Sequence, residues 1–360
     1  MRRSVELNLL SRAGSPAWRI HAGMGRDDCV TQLPAPKASA DPAAITGIDR
    51  HVHLEGGMDP DWVRRQAGAV GQKLPASLEA LWRGEPQPFT GFIEAFLFGS
   101  GFLSNRESVR SALGAIVARL PPQATGPRGV DLWVSPHFLV RYKQLLSLDE
   151  LWRGLEAGIA DAGRIGVSIA VVLDAVNHFG PKHGHEVLDL VESNLPEFVV
   201  GFSTGGLEGV PFREWSPVFD RARSSGLRIA AHAGENGPGE NVREAILHGG
   251  VDRIVHGVKA AGHPEILDLL AERRIPVDVC PSSNQALVTD LGPHPLPLMC
   301  RAGVRCALGT DDPGVIPCDL AGEWAKARAM GLSEPELETL RRFAEEDAWC
   351  FQARPIQPKA

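Results

Sequence analysis

The sequence lacks the segments that carry a protein into or across a membrane. None of its apolar runs is long enough to span a bilayer. A basic start at residues 1–3 precedes an apolar stretch, but Glu6, Asn8 and Arg12 interrupt that stretch, so the apolar core of a signal peptide is missing. We therefore expect a cytoplasmic protein without a membrane partner.

Paired cysteines and long basic runs are also missing. The six cysteines include no CxxC pair, a usage that in a chain of 360 residues is typical of buried thiols in a reducing compartment. Lys and Arg form no long run and the net charge is −7, which argues against a nucleic acid polymer as partner. We expect a small-molecule partner, and the chain could also form a homo-oligomer.

Short apolar segments alternate with helical patterns along most of the chain, and each segment is rich in β-branched residues. The eight predicted strands cover residues 46–53, 129–136, 167–173, 198–202, 227–231, 252–256, 275–279 and 304–308. This alternation predicts an α/β protein with a (β/α)₈ TIM barrel. The alternative is an open doubly wound sheet, which would more often carry a glycine-rich phosphate turn after its first strand. No such turn is present.

The segments around the barrel have their own signatures. Residues 1–44 contain several prolines and no sustained periodicity, so we predict an irregular N-terminal extension. We assign residues 45–350 to the barrel domain, with an extra helical region after the first strand, and residues 351–360 to a C-terminal tail. Ser104 and Ser147, each followed three residues later by Glu, have capping-box spacing, and Ser216 before a proline predicts another helix start.

Polar residues follow the predicted strands where each strand ends. His51 and His53 end the first strand, and the period of two sends both imidazoles to one side, where they could share a divalent metal. The alternative is that one histidine faces the core and the other the surface. Further candidates follow the fifth, sixth and eighth strands, namely His232, Glu235, His256, Asp311 and Asp312. In a barrel all these strand ends lie on one face, where active sites are found.

The candidate residues suit metal-assisted hydrolysis. Three imidazoles and a carboxylate would bind Zn²⁺ or a similar cation and leave a position for water, whose pKa the ion would lower towards about 7. Glu235 could stand beside the metal as a general acid or base. His256 could accept a hydrogen bond from the water or steady the charge that develops.

Several motifs resemble those of the adenosine deaminase family in the amidohydrolase superfamily, in the family's order and over residues 46–350. The matching stretches are residues 51–56, 199–201, 205–206, 232–235, 253–257, 280–284, 294–297 and 310–313. The resemblance implies one zinc ion per chain. Its implied ligands are His51, His53, His232 and Asp311.

The same resemblance implies roles at a 6-aminopurine. Glu235 would protonate ring nitrogen N1 while hydroxide adds to C6, and His256 would orient that hydroxide. Asp312 would hydrogen-bond N7, and the backbone of Gly206 would meet N3. Ammonia would leave and a 6-oxopurine would remain.

This sequence departs from the family pattern at several positions. Glu55 stands where adenosine-specific members usually have Asp, as in relatives that act on adenine. Two acids of the fourth-strand motif are absent from residues 201–208, and Trp133, Asp174 and Gly309 replace residues that are usual in the family. Zinc-dependent deamination of adenosine or deoxyadenosine is the first expectation. The alternative substrate is adenine or a modified nucleoside, such as a 5′-modified or aminofutalosine-type compound.

Other functions stay open. A binuclear amidohydrolase also carries HxH on its first strand, but the lysine such enzymes place on the fourth strand is absent from residues 198–206. A non-catalytic purine-binding barrel would have no need of Glu235. The histidines at 178, 183 and 185 could hold a second metal or belong to a solvated loop, and His137 could contact substrate or only pack.

Overall fold

A computed structural model describes residues 45–122, 124, 126–288 and 290–352. It contains eight parallel strands in the order in which they occur in the chain. The strands are β1 (Gly47–His53), β2 (Arg128–Val134), β3 (Val167–Val176), β4 (Val199–Gly205), β5 (Arg228–Ala233), β6 (Arg253–His256), β7 (Pro276–Val279) and β8 (Arg305–Leu308). The residues after β8 return to β1, because the N–H of His53 donates to the carbonyl of Asp311 at 2.8 Å. The predicted barrel is confirmed.

Helices follow most of the strands and pack around the barrel. They are α1 (Pro60–Ala69), α2 (Ala76–Trp82), α3 (Phe89–Ser100), α4 (Arg106–Ala118), α5 (Leu148–Arg164), α6 (Pro181–Val191), α7 (Phe212–Ser224), α8 (Glu240–Glu244), α9 (Pro264–Glu272), α10 (Pro281–Leu287), α11 (Leu296–Arg301), α12 (Leu320–Ala329) and α13 (Glu334–Asp347). Four of them lie between β1 and β2 and form the extra helical region. Among the described residues no helix is both long and apolar enough to cross a membrane.

The predicted flanking segments fall almost entirely outside the described residues. The irregular extension at residues 1–44 is not among them, and of the tail at residues 351–360 only the first two residues are. Both assignments therefore stay predictions.

Of the three helix starts named in the sequence analysis, the structure confirms one and places the other two elsewhere. Ser147 caps α5, with its hydroxyl accepting from the N–H of Glu150 at 3.2 Å. The cap of α4 is Asn105 rather than Ser104, because the extended backbone of Asn105 aims its amide oxygen at the N–H of Ser108 (2.9 Å). Ser216 does not start α7, which begins at residue 212. Its hydroxyl instead donates to the carbonyl of His248 at 2.6 Å.

Side chains from alternate strand positions fill the barrel lumen. Together with Trp349 they form a cluster separate from the core outside the barrel, and the strand residues in it are Trp133, Ala170, Val172, Val200, Ala230 and Val255. Trp349 comes from the segment after α13 and stacks on Trp133, with ring centroids 6.5 Å apart. Because side chains alternate along a strand, Asp174 follows Val172 on the lumen side, towards the strand ends.

A fully buried ion-pair cluster lies among the strands on the other side of the tryptophans from the histidines. Arg253 Nη1 lies 2.7 Å from Asp131 Oδ2 and 3.1 Å from Asp278 Oδ2, and Arg50 Nη2 lies 2.9 Å from Asp278 Oδ1. All four side chains have no exposed surface. The guanidinium of Arg253 also stacks on Trp349, 4.1 Å from the ring centroid. Ion pairs thus connect four strands, β1, β2, β6 and β7.

Removing one acid from this cluster should destabilise the barrel strongly. We expect Asp278→Ala to lower the free energy of unfolding by about 3–5 kcal/mol, because it leaves Arg50 and Arg253 buried with less compensating charge. Urea unfolding followed by circular dichroism measures this change. The matched control is Arg153→Ala, whose ion pair with Asp149 is largely exposed and whose loss should leave the unfolding curve almost unchanged. Similar curves for the two variants would contradict the prediction.

Candidate active site

The predicted polar residues converge at the carboxyl ends of the strands. The rings of His51 and His53 lie 4.8 Å apart, as expected for two side chains on one side of a strand. His51 Nε2 lies 3.2 Å from Asp311 Oδ1, and His53 Nε2 lies 3.3 Å from His232 Nε2. Asp311 Oδ1 is also 3.5 Å from His53 Nε2. Four residues from β1, β5 and the end of β8 therefore surround one small volume.

The protonation of these groups suits a cation. Burial lowers the pKa of His51 and His53 to about 3, so both imidazoles are neutral and keep a lone pair. His232 Nδ1 lies 2.8 Å from the carbonyl of Thr204, to which it must donate, and this leaves the lone pair on Nε2 facing His53. Against the effect of burial, the hydrogen bond with His51 and the neighbouring imidazoles hold the pKa of Asp311 well below its usual range. Three neutral nitrogens and one carboxylate fit a divalent metal.

Other polar groups hold these side chains in place, and the sequence analysis gave them no role. Ser283 Oγ donates to Asp311 Oδ2 at 2.6 Å, and Asn284 Nδ2 lies 3.1 Å from His256 Nδ1. Buried Asp49 joins the ends of β1 and β8, because it accepts from the hydroxyl of Thr310 (2.6 Å). The sequence signal for Asp49 was only an acid within the first strand, two residues before His51.

The backbone is strained at two of the candidate residues. His256 and Asp311 have φ values of 65° and 64°, in the left-handed region that non-glycine residues rarely adopt. Next to them, a Cβ at Gly309 would lie 2.7 Å from the carbonyl oxygen of His51. The close approach of the two strand ends therefore accounts for glycine at 309.

The two predicted proton-transfer residues face each other. Glu235 Oε1 lies 3.6 Å from His256 Nε2, and both residues are buried. Burial, with a contribution from the charge of Asp311, raises the pKa of Glu235 to about 7. Asp312 is 3% exposed, and burial together with the charges of Asp311 and Glu55 raises its pKa well above its usual range. A protonated carboxyl at 312 can donate a hydrogen bond to a ring nitrogen.

A second pair of acids lies beside these residues with open hydrogen-bonding capacity. Glu55 is fully buried, and its Oε1 accepts from the N–H of Ser135 at 2.7 Å. Within the described part of the chain, Glu55 Oε2 and Asp174 Oδ1 are buried and have no hydrogen-bond partner. Such oxygens need donors, and a bound molecule is one source of them. Asp174 therefore joins the site, whereas Trp133 lies beneath it, 4.3 Å from the ring of His51.

The remaining sequence candidates lie at the edge of the site. Gly206 has a φ of 79°, and a Cβ there would lie 3.3 Å from the ring of His178. His137 and His183 have ring centroids 4.7 Å apart, and both come within 3.9 Å of Glu186. His185 does not join this group.

Burial raises the pKa of the Cys280 thiol well above its usual range, which disfavours a thiolate nucleophile.

Comparison with known proteins gives consistent matches. The family model described as Adenosine deaminase matches residues 47–355. An adenine deaminase from Chelativorans sp. (strain BNC1) is 32% identical over 308 residues, covering 83% of this chain and 92% of the relative. An aminodeoxyfutalosine deaminase from Streptomyces coelicolor is 32% identical over 318 residues, covering 83% and 79%. The crystal structure of an adenine deaminase from Arthrobacter aurescens superposes with a TM-score of 0.74 at 24% identity, covering 85% of this chain and 94% of that one.

Proposed function

Because this chain belongs to the adenosine deaminase family and is a metal-dependent aminohydrolase, we propose that it hydrolyses adenine to hypoxanthine and ammonia. The observation that carries the proposal is the convergence of neutral imidazoles, an ionised carboxylate and a buried acid at one set of strand ends. The family match and the relatives support deamination of an adenine-type compound. They do not favour adenosine, the first expectation from the sequence.

The proposed cofactor is one zinc ion, held by His51, His53, His232 and Asp311. This donor set is typical of zinc sites, and a zinc ion would supply the Lewis acidity that makes a water molecule nucleophilic near neutral pH. Thr204 and Ser283 keep two of the donors oriented, by the hydrogen bonds to His232 and Asp311.

Four residues of the chain act directly on the purine ring or on the attacking water. Glu235, protonated because burial raises its pKa, donates a proton to ring nitrogen N1 as water adds at C6. His256, whose Nδ1 contacts Asn284, keeps Nε2 directed at Glu235 and the attacking water. The protonated Asp312 donates to N7, and the Gly206 backbone contacts N3. Of the two protons of the water, one restores the carboxyl of Glu235 and the other reaches the departing amino group, which leaves as ammonia.

Adenine is preferred because of the two open carboxyl oxygens. Burial raises the pKa of Glu55 to about 7 and that of Asp174 well above its usual range, but a carboxyl group keeps an acceptor oxygen in either protonation state. The N9–H group of the free base is a donor at the end of the purine away from C6. The relative from Chelativorans named as an adenine deaminase supports this choice. A second candidate is an adenine nucleoside with a larger substituent, which the aminodeoxyfutalosine deaminase relative supports. Its ribose hydroxyls would satisfy the same oxygens.

A substrate panel tests the proposal. Zinc-loaded protein is assayed for ammonia release from adenine, adenosine, deoxyadenosine, AMP and aminodeoxyfutalosine, with chelator-treated protein as the control. We expect metal-dependent turnover, fastest with adenine. Faster turnover of aminodeoxyfutalosine would establish the second candidate. Zinc-loaded protein that releases ammonia from none of the five would overturn the proposed function.

The N9–H contact has its own test in 9-methyladenine, which keeps the 6-amino group but lacks that donor. We expect kcat/KM for adenine to exceed that for 9-methyladenine by at least about 100-fold, because the analogue leaves a buried acceptor unpaired. Glu55→Ala should shrink this ratio, since it removes the acceptor. Equal kcat/KM values for the two bases with the wild-type protein would show that Glu55 and Asp174 do not accept a hydrogen bond from N9–H.

A further inference from the structure

One carboxylate outside the proposed reacting groups holds the loop that carries Glu235. Glu208, three residues after β4, accepts hydrogen bonds from four consecutive backbone N–H groups. The donors are Gly234 (2.8 Å, to Oε2), Glu235 (2.8 Å, to Oε1), Asn236 (3.1 Å, to Oε1) and Gly237 (3.0 Å, to Oε1). A fifth bond comes from Asn241 Nδ2 to Oε2, at 2.8 Å. The loop thus wraps its amides around a single anion, an arrangement in which each bond is strengthened by charge.

The loop sequence suits this wrapping. Gly234 has a φ of 69°, which glycine adopts without strain, and there the chain leaves β5. A Cβ at Gly237 would lie 2.6 Å from Glu208 Oε2, so a side chain at 237 would push the carboxylate away. Glycines at both positions allow the backbone to approach Glu208.

Asn236, in the loop after β5, makes side-chain hydrogen bonds to the backbone of the loop after β4. Its Oδ1 accepts from the N–H of Glu208 (3.0 Å), and its Nδ2 donates to the carbonyl of Gly206 (3.1 Å). The same Nδ2 lies 3.2 Å from Glu235 Oε2. The loop after β4, which carries Gly206, and the loop after β5, which carries Glu235, are therefore fixed to each other by two reciprocal side chains.

We propose that Glu208 is a positioning residue, which sets the carboxyl of Glu235 and the backbone of Gly206 at the fixed separation that the purine ring requires. The inference rests on the proposed function, because the distance matters for turnover only if both groups act on one ring. A displacement of about 1 Å at a reacting group can lower the rate by about 10²-fold. We therefore expect the loss of the five hydrogen bonds that hold the loop to lower kcat.

The experiment compares Glu208→Ala, Glu208→Gln and Glu240→Ala. We expect kcat to fall by about 10² in Glu208→Ala, while the protein stays folded by circular dichroism and keeps its zinc content. Glu208→Gln should lose only about tenfold, because its amide oxygen can still accept the three bonds made by Oε1, while its NH₂ group opposes the Gly234 N–H. Glu240, 49% exposed and paired with Arg243, lies just after the same loop, and its removal should leave kcat unchanged.

A double variant separates positioning from a general loss of structure. If Glu208 acts mainly through Glu235, adding Glu208→Ala to Glu235→Gln should reduce kcat by much less than Glu208→Ala does alone, since the main group being positioned is already inactive. A merely structural role would make the two losses independent, so that they multiply in the double variant. Full additivity, or an unchanged kcat in Glu208→Ala, would overturn the proposal.

Amide hydrogen exchange keeps the test independent of the substrate. We expect the N–H groups of residues 234–237 to exchange at least about tenfold faster in Glu208→Ala than in the wild type, and to be unaffected in Glu240→Ala. If the wild type deaminates no aminopurine, the proposed function fails, and this measurement alone decides whether Glu208 holds the loop. Unchanged exchange would overturn the positioning role.

Discussion

We expect Glu235→Gln to lower kcat by about 10²–10⁴ while the protein keeps its metal and its fold. The amide has nearly the shape of the carboxyl and can still accept from Asn236, so the loop geometry is preserved. It has no acidic proton to give to N1. Because the change affects proton transfer rather than binding, we expect the affinity for hypoxanthine to stay nearly the same.

Three measurements together test the role of Glu235. Steady-state kinetics give kcat, elemental analysis gives the zinc content, and titration calorimetry gives the product affinity. Glu240→Gln is the matched control, since it makes the same chemical change at an exposed position a few residues away. A Glu235→Gln protein with wild-type kcat would remove Glu235 from the mechanism. A variant that lost zinc would show that Glu235 holds the metal instead.

We expect Asp311→Ala to abolish metal binding and, with it, activity. Asp311 is the only carboxylate among the proposed ligands. Its Oδ1 lies 3.2 Å from His51 Nε2 and 3.5 Å from His53 Nε2. Without it the site offers three neutral imidazoles and no negative charge to a divalent cation. We expect the zinc content to fall from one ion per chain to nearly none.

Two further variants make the Asp311 result unambiguous. Alanine at a φ of 64° adds backbone strain, whereas Asp311→Asn removes the charge and tolerates the left-handed backbone. Asp311→Asn should therefore bind zinc more weakly with little change in thermal midpoint. Asp312→Asn, at the next residue, should keep the zinc ion and lose activity. Full zinc content in Asp311→Ala by elemental analysis would show that Asp311 is not a ligand.

Much of the architecture could be predicted because it depends on local patterns. Each predicted strand matches an observed one to within a few residues, since a strand buried on both faces needs a run of apolar, β-branched residues. The barrel then places all strand ends on one face without further information. The convergence of His51, His53, His232 and Asp311 follows from that topology.

Other features could not be predicted, because they depend on contacts between distant parts of the chain. Ser216 has a good start signal, yet the burial of Phe212 and Trp215 begins α7 earlier. The partners of Arg253 in the buried ion cluster are 122 and 25 residues away, on β2 and β7. No local sequence pattern indicates which buried charged residues will form ion pairs with each other.

The sequence by itself therefore determined the strands, the barrel, the family and the candidate metal ligands, because periodicity and strand-end motifs are encoded over short stretches. Only the tertiary structure decided which groups hold the site in shape. In the sequence Glu208 is the last residue of the fourth-strand motif and has no assigned role, whereas the structure shows four amides of another loop around it. The oxygens of Glu55 and Asp174 that have no partner among the described residues are likewise visible only once their surroundings are in place.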